Sequence, residues 1–238
     1  MLAQSLAMMK KLYLYHDNQH QSLWRDEGPV TSFYGATVVV VGFGDIGRNF
    51  GRRVKALGAY VIGLRRRKGE VPPEADEMGD MAHFEDYLSR ADIVASCLPD
   101  TPETYRIYNK DRFMAMKKGA YFVNVGRGNN VDQEAAGSRP FRSFGRRCFG
   151  RYRSGTAAKG RSLWQTKGIY ITPHISGGYH LQATHDYIAR IAVDNLKRFL
   201  AGEKLENMVD MATAIRPDRS CYVSVTVPVL RRYPFFYS

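Results

Sequence analysis

Between Glu134 and Asp186 the sequence has no acidic residue: the 51 residues from Ala135 to His185 contain neither Asp nor Glu. Chemistry in that interval that needs a carboxylate has to borrow one from elsewhere. Cysteine is scarce too. Cys97, Cys148 and Cys221 are odd in number and far apart, which excludes a disulfide framework and a cysteine-based metal site and leaves free thiols. No apolar run approaches the about 20 residues that span a bilayer, and the opening MLAQSLAMMKKLYLYHDNQH lacks the order and cleavage site of a secretory signal. A cytoplasmic protein without a membrane partner is expected. Low-complexity repeats are absent, and 238 residues that are 44% apolar suffice to bury one large core or two small ones.

Charge of one sign is plentiful, and its position matters more than its size. Of the net +12, residues 137–161 (GSRPFRSFGRRCFGRYRSGTAAKGR) supply +8 and residues 216–238 supply +3, leaving +1 for the rest of the chain. A near-neutral body with two basic segments argues against a phosphate-tracking surface, so nucleic acid is not an expected partner.

Hydrophobic periodicity divides the chain. Leu2, Leu6, Met9, Leu12 and Tyr13 lie at helical spacing, which predicts one amphipathic helix over residues 1 to about 18. From residue 37 the pattern becomes strand TVVVV, a glycine turn opening helix GFGDIGRNFGRRVKALG, and strand YVIGL. Helix HFEDYLSRA, strand DIVASCLP, helix NKDRFMAMKKG and strand AYFVNVG follow. Strand GIYITPH and a helix from Leu181 to Leu200, closed by Gly202, complete the order. Strands alternating with helices predict an α/β fold with a doubly wound parallel sheet of Rossmann type, flanked by N- and C-terminal helices. The pattern stops at about residue 136, and the basic segment 137–161 offers no periodicity to hold a helix or a strand.

Gly42, Gly44 and Gly47 form GFGDIG between a buried strand and a helix, the context that a dinucleotide fingerprint requires. The first glycine permits the turn, the second admits a pyrophosphate to the backbone, and the third allows close helix packing, with free N–H groups at the helix start. About 20 residues further on, NAD-binding versions place an acid that bonds the ribose 2′-OH. Here Arg65, Arg66 and Arg67 stand instead. A guanidinium pairs with a 2′-phosphate that a carboxylate would repel, so NADP is expected over NAD, with NAD possible and one or two of the arginines bystanders.

Three further motifs, CLPDTPETYRIYN (97–109), NVGRGNNVD (124–132) and ITPHISGG (171–178), stand in an order that resembles the D-isomer-specific 2-hydroxyacid dehydrogenase family. The resemblance implies hydride transfer between a nicotinamide and a small D-2-hydroxy acid or 2-oxo acid, and a homodimer built on the nucleotide domain. It implies that Arg127 grips the substrate carboxylate and carbonyl oxygen and that His174 exchanges a proton with that oxygen. It places the cofactor against Gly42, Gly44, Asp45, Ile46 and Gly47, Arg65 to Arg67, Cys97, Leu98 and Pro99, Thr104, Val125, Gly126 and Arg127, and His174 and Gly177. Cys97 reads as packing, and His180 and His185 do not make a metal site.

Two departures from the family stand out. The family carries a substrate-binding lobe ahead of the nucleotide domain, and this chain begins inside the helix that follows it, so the lobe is expected to be missing. The family also has, after VDQEA, a helix, a strand and an acidic proline-rich segment with the glutamate that partners the histidine. The expected organisation is thus a hinge helix and linker (1–30), a dinucleotide-binding domain (31–180), a C-terminal helix and return segment (181–215) and an atypical tail (216–238). Impaired catalysis is expected, the alternative being a non-catalytic dinucleotide-binding or dimerisation module. A compensated frameshift accounts for the abrupt composition of 137–161; a genuine insertion is the other reading. Shifting the reading frame of the coding DNA after codon 135 and restoring it before codon 162 is expected to reveal a helix, a strand and a Glu-Pro-rich stretch. Failure of both alternative frames to encode one would make the segment a true insertion.

Overall fold

The structure, a computed structural model, describes residues 1–66, 69–132, 135, 166–173 and 182–208, and the backbone alone of 147–149. The chain divides into two units, Met1–Asp186 and Tyr187–Ser238. In the first, helices α1 (Leu2–Met9) and α2 (Leu12–His20) precede β1 (Thr37–Val41), α3 (Asp45–Ala56), β2 (Tyr60–Arg65) and β3 (Glu77–Asp80). Then come α4 (Phe84–Arg90), β4 (Ile93–Ser96), α5 (Lys110–Met114), β5 (Tyr121–Asn124), β6 (Arg147–Phe149) and β7 (Ile169–Ile171). Helix α6 (Gln182–Leu200) runs from the first unit into the second. Among the described residues no helix is long and apolar enough to cross a membrane.

All seven strands pair in parallel, in the order β3-β2-β1-β4-β5-β6-β7. This is the doubly wound Rossmann architecture expected. Residues Val38 to Val41 are fully buried because both faces of the sheet are covered. The strand period of two sends Val39 and Val41 into one core with Ile62, Leu64, Phe84, Phe113 and Phe122. It sends Val38 and Val40 into the other, where Phe50 and Val54 of α3 meet Met9 of α1 and Phe33. Helix α3 therefore buries its apolar stripe and leaves Arg52 and Arg53 in solvent.

Three expectations need correcting. The single N-terminal helix is two helices: Lys11 adopts a left-handed conformation (φ 56°, ψ 28°), and its ammonium donates to the Glu27 carbonyl, turning the chain between them. Strand β3 was not anticipated, as EMGD is only four residues long and polar at both ends. The basic segment does contain a strand. Residues 147–149 pair with Phe122, Val123 and Asn124 on one side and with Ile169, Tyr170 and Ile171 on the other. A ladder is made by backbone groups, so a strand forms there without hydrophobic alternation in the sequence.

Phe122, fully buried, packs edge-on against Tyr108 at 4.8 Å and Phe113 at 5.1 Å between ring centroids. Phe122→Ala removes the centre of this aromatic group and is expected to cost about 3–5 kcal/mol in urea unfolding. A loss below about 1 kcal/mol would show that the group is not part of the cooperative core.

Candidate functional site

The chain leaves β1, builds β2 and β3 on one side, then crosses back to place β4 on the other. The C-terminal ends of β1 and β4 therefore flank the topological switch point, where open α/β sheets bind ligands. Gly42 turns the chain there with φ +90°, and a Cβ on it would lie 3.0 Å from both the carbonyl carbon and oxygen of Cys97. A Cβ on Gly47 would come within 2.4 Å of the Gly42 oxygen, so α3 starts directly against the turn. Gly44 differs: nothing lies within 4 Å of its Cβ position. It is the N-cap of α3 and provides no side-chain acceptor, so the first-turn N–H groups near Asp45, Ile46 and Gly47 carry no side-chain cap. An open cradle over an uncapped helix start fits a pyrophosphate.

Arg65 ends β2, and its Nε donates to the Phe43 carbonyl at 3.0 Å, which brings the guanidinium back beside the glycine turn. Arg66 is exposed and lies 3.9 Å from Glu103, across the mouth of β1, since β1 separates β2 from β4 in the sheet. Arg67 falls outside the described residues.

On the other flank, the loops after β4 and β5 are tied into one body. Gly126 admits no side chain, because a Cβ there would lie 2.5 Å from the Leu98 carbonyl oxygen. Thr104 Oγ1 donates to the Pro99 carbonyl at 2.8 Å and accepts from the Thr101 N–H at 2.9 Å. Asn130, fully buried, donates to the carbonyls of Pro99 at 3.0 Å and Thr104 at 3.1 Å, while its Oδ1 accepts from the Arg127 N–H. Asn124, also buried, accepts from the Gly126 N–H and donates to the Arg127 carbonyl, both at 3.0 Å. Together they fix the backbone of Arg127 and leave its side chain exposed at the strand edge, with Val125 buried beneath. The sequence reading passed over both asparagines. Their signal was present, since buried amides must find partners and NVGRGNN carries three such residues in a glycine-rich turn.

The structure thus brings together the glycine turn, Arg65, Arg66, Cys97 to Pro99, Thr104 and Val125 to Arg127 at one sheet edge. His174 and Gly177 lie outside the described residues; β7 ends three residues before the histidine. A separate cavity of about 340 Å³, lined by Met9, Thr31, Tyr34, Asp92, Lys117 and Tyr121, opens at the opposite strand ends and has no part in this site.

The chain as a whole has counterparts among known proteins. The D-isomer specific 2-hydroxyacid dehydrogenase NAD binding domain matches residues 2–176. The chain belongs to this family. The D-3-phosphoglycerate dehydrogenase of Mycobacterium leprae is 30% identical over 186 residues, covering 76% of this chain and 34% of that protein. The chain therefore spans about a third of the length of that curated relative. A D-isomer specific 2-hydroxyacid dehydrogenase family protein from Aeromonas salmonicida superposes with a TM-score of 0.76 at 30% identity, over 88% of this chain and 66% of that one. Its counterpart from Xanthobacter autotrophicus, solved with NADPH and MES, gives 0.76 at 26% identity, over 88% and 84%.

Cys97 stands at the centre of this 2-hydroxyacid dehydrogenase edge, yet burial pushes its thiol up to about 12. The thiolate is the reactive form, so the raised value keeps the group inert at neutral pH. Native protein treated with iodoacetamide at pH 8 is expected to leave Cys97 unmodified by mass spectrometry, and unfolded protein to lose that protection. Rapid labelling in the native state would overturn the packing role.

Proposed function

We propose that this chain is the dinucleotide-binding domain of a cytoplasmic, self-associating D-2-hydroxyacid dehydrogenase that favours NADPH, and that its turnover as written is low. The observation that carries the cofactor choice is Arg65, held at the end of β2 by the Phe43 carbonyl where an NAD site has a carboxylate. The Xanthobacter relative solved with NADPH supports the same choice.

The residues fit the cofactor. The cradle at Gly44 and the start of α3 would hold the pyrophosphate, and Arg65 with Arg66 would hold the 2′-phosphate. When bound, the dinucleotide supplies the hydride. Arg127, presented by Asn124 and Asn130, holds the oxygens of a small 2-oxo acid in its planar fork. Leu98 and Pro99 exclude water from the neighbouring wall. His174 gives a proton to the substrate carbonyl oxygen, and takes it back in the reverse direction. That step is the impaired one. The acid-free interval 135–185 contains no carboxylate to orient the histidine and stabilise its charged form, and acid–base catalysis of this kind is worth about 10²- to 10⁴-fold. The same absence favours the second reading, a dinucleotide-binding or dimerisation module without catalysis.

Fluorescence titration is expected to show tighter binding of NADPH than of NADH. Arg65→Ala or Arg66→Ala should then weaken NADPH about tenfold to hundredfold with little effect on NADH, matching the loss of a charge-assisted bond. Equal affinities, or tighter NADH, would defeat the assignment. With glyoxylate or hydroxypyruvate, a rate in the ordinary range of about 1 to 10³ per second would defeat the claim of impairment. Measurable but slow turnover separates a weakened enzyme from the module.

A further inference from the structure

His16 and His20 stand one turn apart on the exposed face of α2, and their Nε2 atoms lie 3.1 Å from each other with the rings nearly perpendicular at 85°. Either ring nitrogen can be the donor, according to the tautomers of the pair. The cofactor reading makes no use of them, and they lie on a helix that contributes nothing to the glycine edge.

Their geometry is that of a chelate. With metal–imidazole bonds of about 2.0–2.1 Å, two nitrogens are about 3.3 Å apart in a tetrahedral site and about 2.9 Å apart at a right angle. The observed separation lies between these values, so the two nitrogens are already spaced as a chelate requires. Imidazole nitrogen suits nickel, copper and zinc, whereas calcium and magnesium require oxygen. Spacing of four residues places both rings over the same turn, and backbone helix bonds hold that spacing.

Helix α2 gains from such a link. It has nine residues, no side-chain N-cap, no acid in its first turn and a single buried residue, Asn18. Helices of this length are marginal by themselves. Its inner side is held by Asn18, which donates to Glu27 Oε1 at 2.8 Å, and by Tyr15, whose hydroxyl accepts from the Glu27 N–H. Among the described residues the outer side, where the histidines are, has no comparable tie to the body.

We propose that His16 and His20 form a two-imidazole site for a borderline divalent transition ion such as Ni²⁺, Cu²⁺ or Zn²⁺, with water in the remaining positions, and that occupancy fastens the last turn of α2. Among the described residues no group of three or more His, Cys, Asp or Glu converges on a metal position, so the chelate rests on two protein ligands.

Titration of the full chain with NiCl₂ by calorimetry, in a non-chelating buffer at pH 8, tests the site. One ion per chain is expected at this position. His16→Gln and His20→Gln should each weaken binding about 10²-fold, because either change converts a linked pair into a single ligand. The thermal midpoint should rise with NiCl₂ in the parent chain by mass action and stay level in both variants. The histidines are exposed, so the variants should keep the parent's circular dichroism. Cu²⁺ bound to the parent should show electron paramagnetic coupling to two nitrogens, and one in either variant. Equal nickel affinity in parent and variants, or no binding in the parent at millimolar NiCl₂, would overturn the proposal.

Discussion

Backbone meets backbone without intervening side chains where β1, β4 and β5 end. Gly42 approaches Cys97, Gly126 approaches Leu98, and Gly47 approaches Gly42, each at a separation that leaves no room for a Cβ. The consequence is a narrow crevice with main-chain walls. Its dipoles and N–H groups point the same way whatever the flanking side chains are, and an anion at the start of α3 is held by groups that do not rotate. The loops carrying Thr104 and Arg127 inherit their positions from that close approach, since Asn130 donates to the carbonyls of Pro99 and Thr104 while Asn124 donates to that of Arg127. A side chain at Gly126 would push the two loops apart and take the arginine with them.

On the proposed reading, specificity is added at the margins of this scaffold. Gly42, Phe43, Cys97 and Leu98 bring no charge to the crevice, while Arg65 and Arg66, to which we assign the choice between cofactors, stand where β2 meets solvent. Arg65 gives one donor to Phe43 and, among the described residues, keeps the remainder of its fork available. Arg66 is near Glu103, a weak partner at 3.9 Å between two exposed groups. Both arginines are therefore poised for an anion at little cost in lost contacts.

The regular part of the fold was legible in the sequence because its strands are buried on both faces. TVVVV, YVIGL, DIVAS and AYFVN are short apolar runs, each next to a glycine or an acid or one residue from it, and they alternate with helical spacing. The glycine motif was legible from its context, between such a run and a helix. The misses have physical causes. Lys11 breaks a helix that hydrophobic spacing alone would continue, since periodicity reports which face is apolar and not whether the backbone turns. Strand β3 is an edge strand, with polar residues at both ends that local pattern cannot distinguish from a loop. Asn124 acts within its own turn, on Gly126 and Arg127, whereas Asn130 acts through the Pro99 and Thr104 carbonyls of another loop, a pairing that exists only once the strands are adjacent.

Strand β6 has a bearing on His174 that its three residues conceal. Among the described residues strand β7 pairs with β6 alone, so the segment leading toward the histidine reaches the sheet through Arg147 to Phe149. Side-chain ties assist from one side: Gln4 donates to Thr172 at 3.0 Å and Tyr13 stacks on Tyr170 at 3.9 Å. The splice itself is made of peptide groups, which are alike in every sequence. The side chains of residues 147–149 can thus change without loss of the pairing that delivers β7 to its slot, so this part of the scaffold is tolerant of sequence in a way that a catalytic side chain is not.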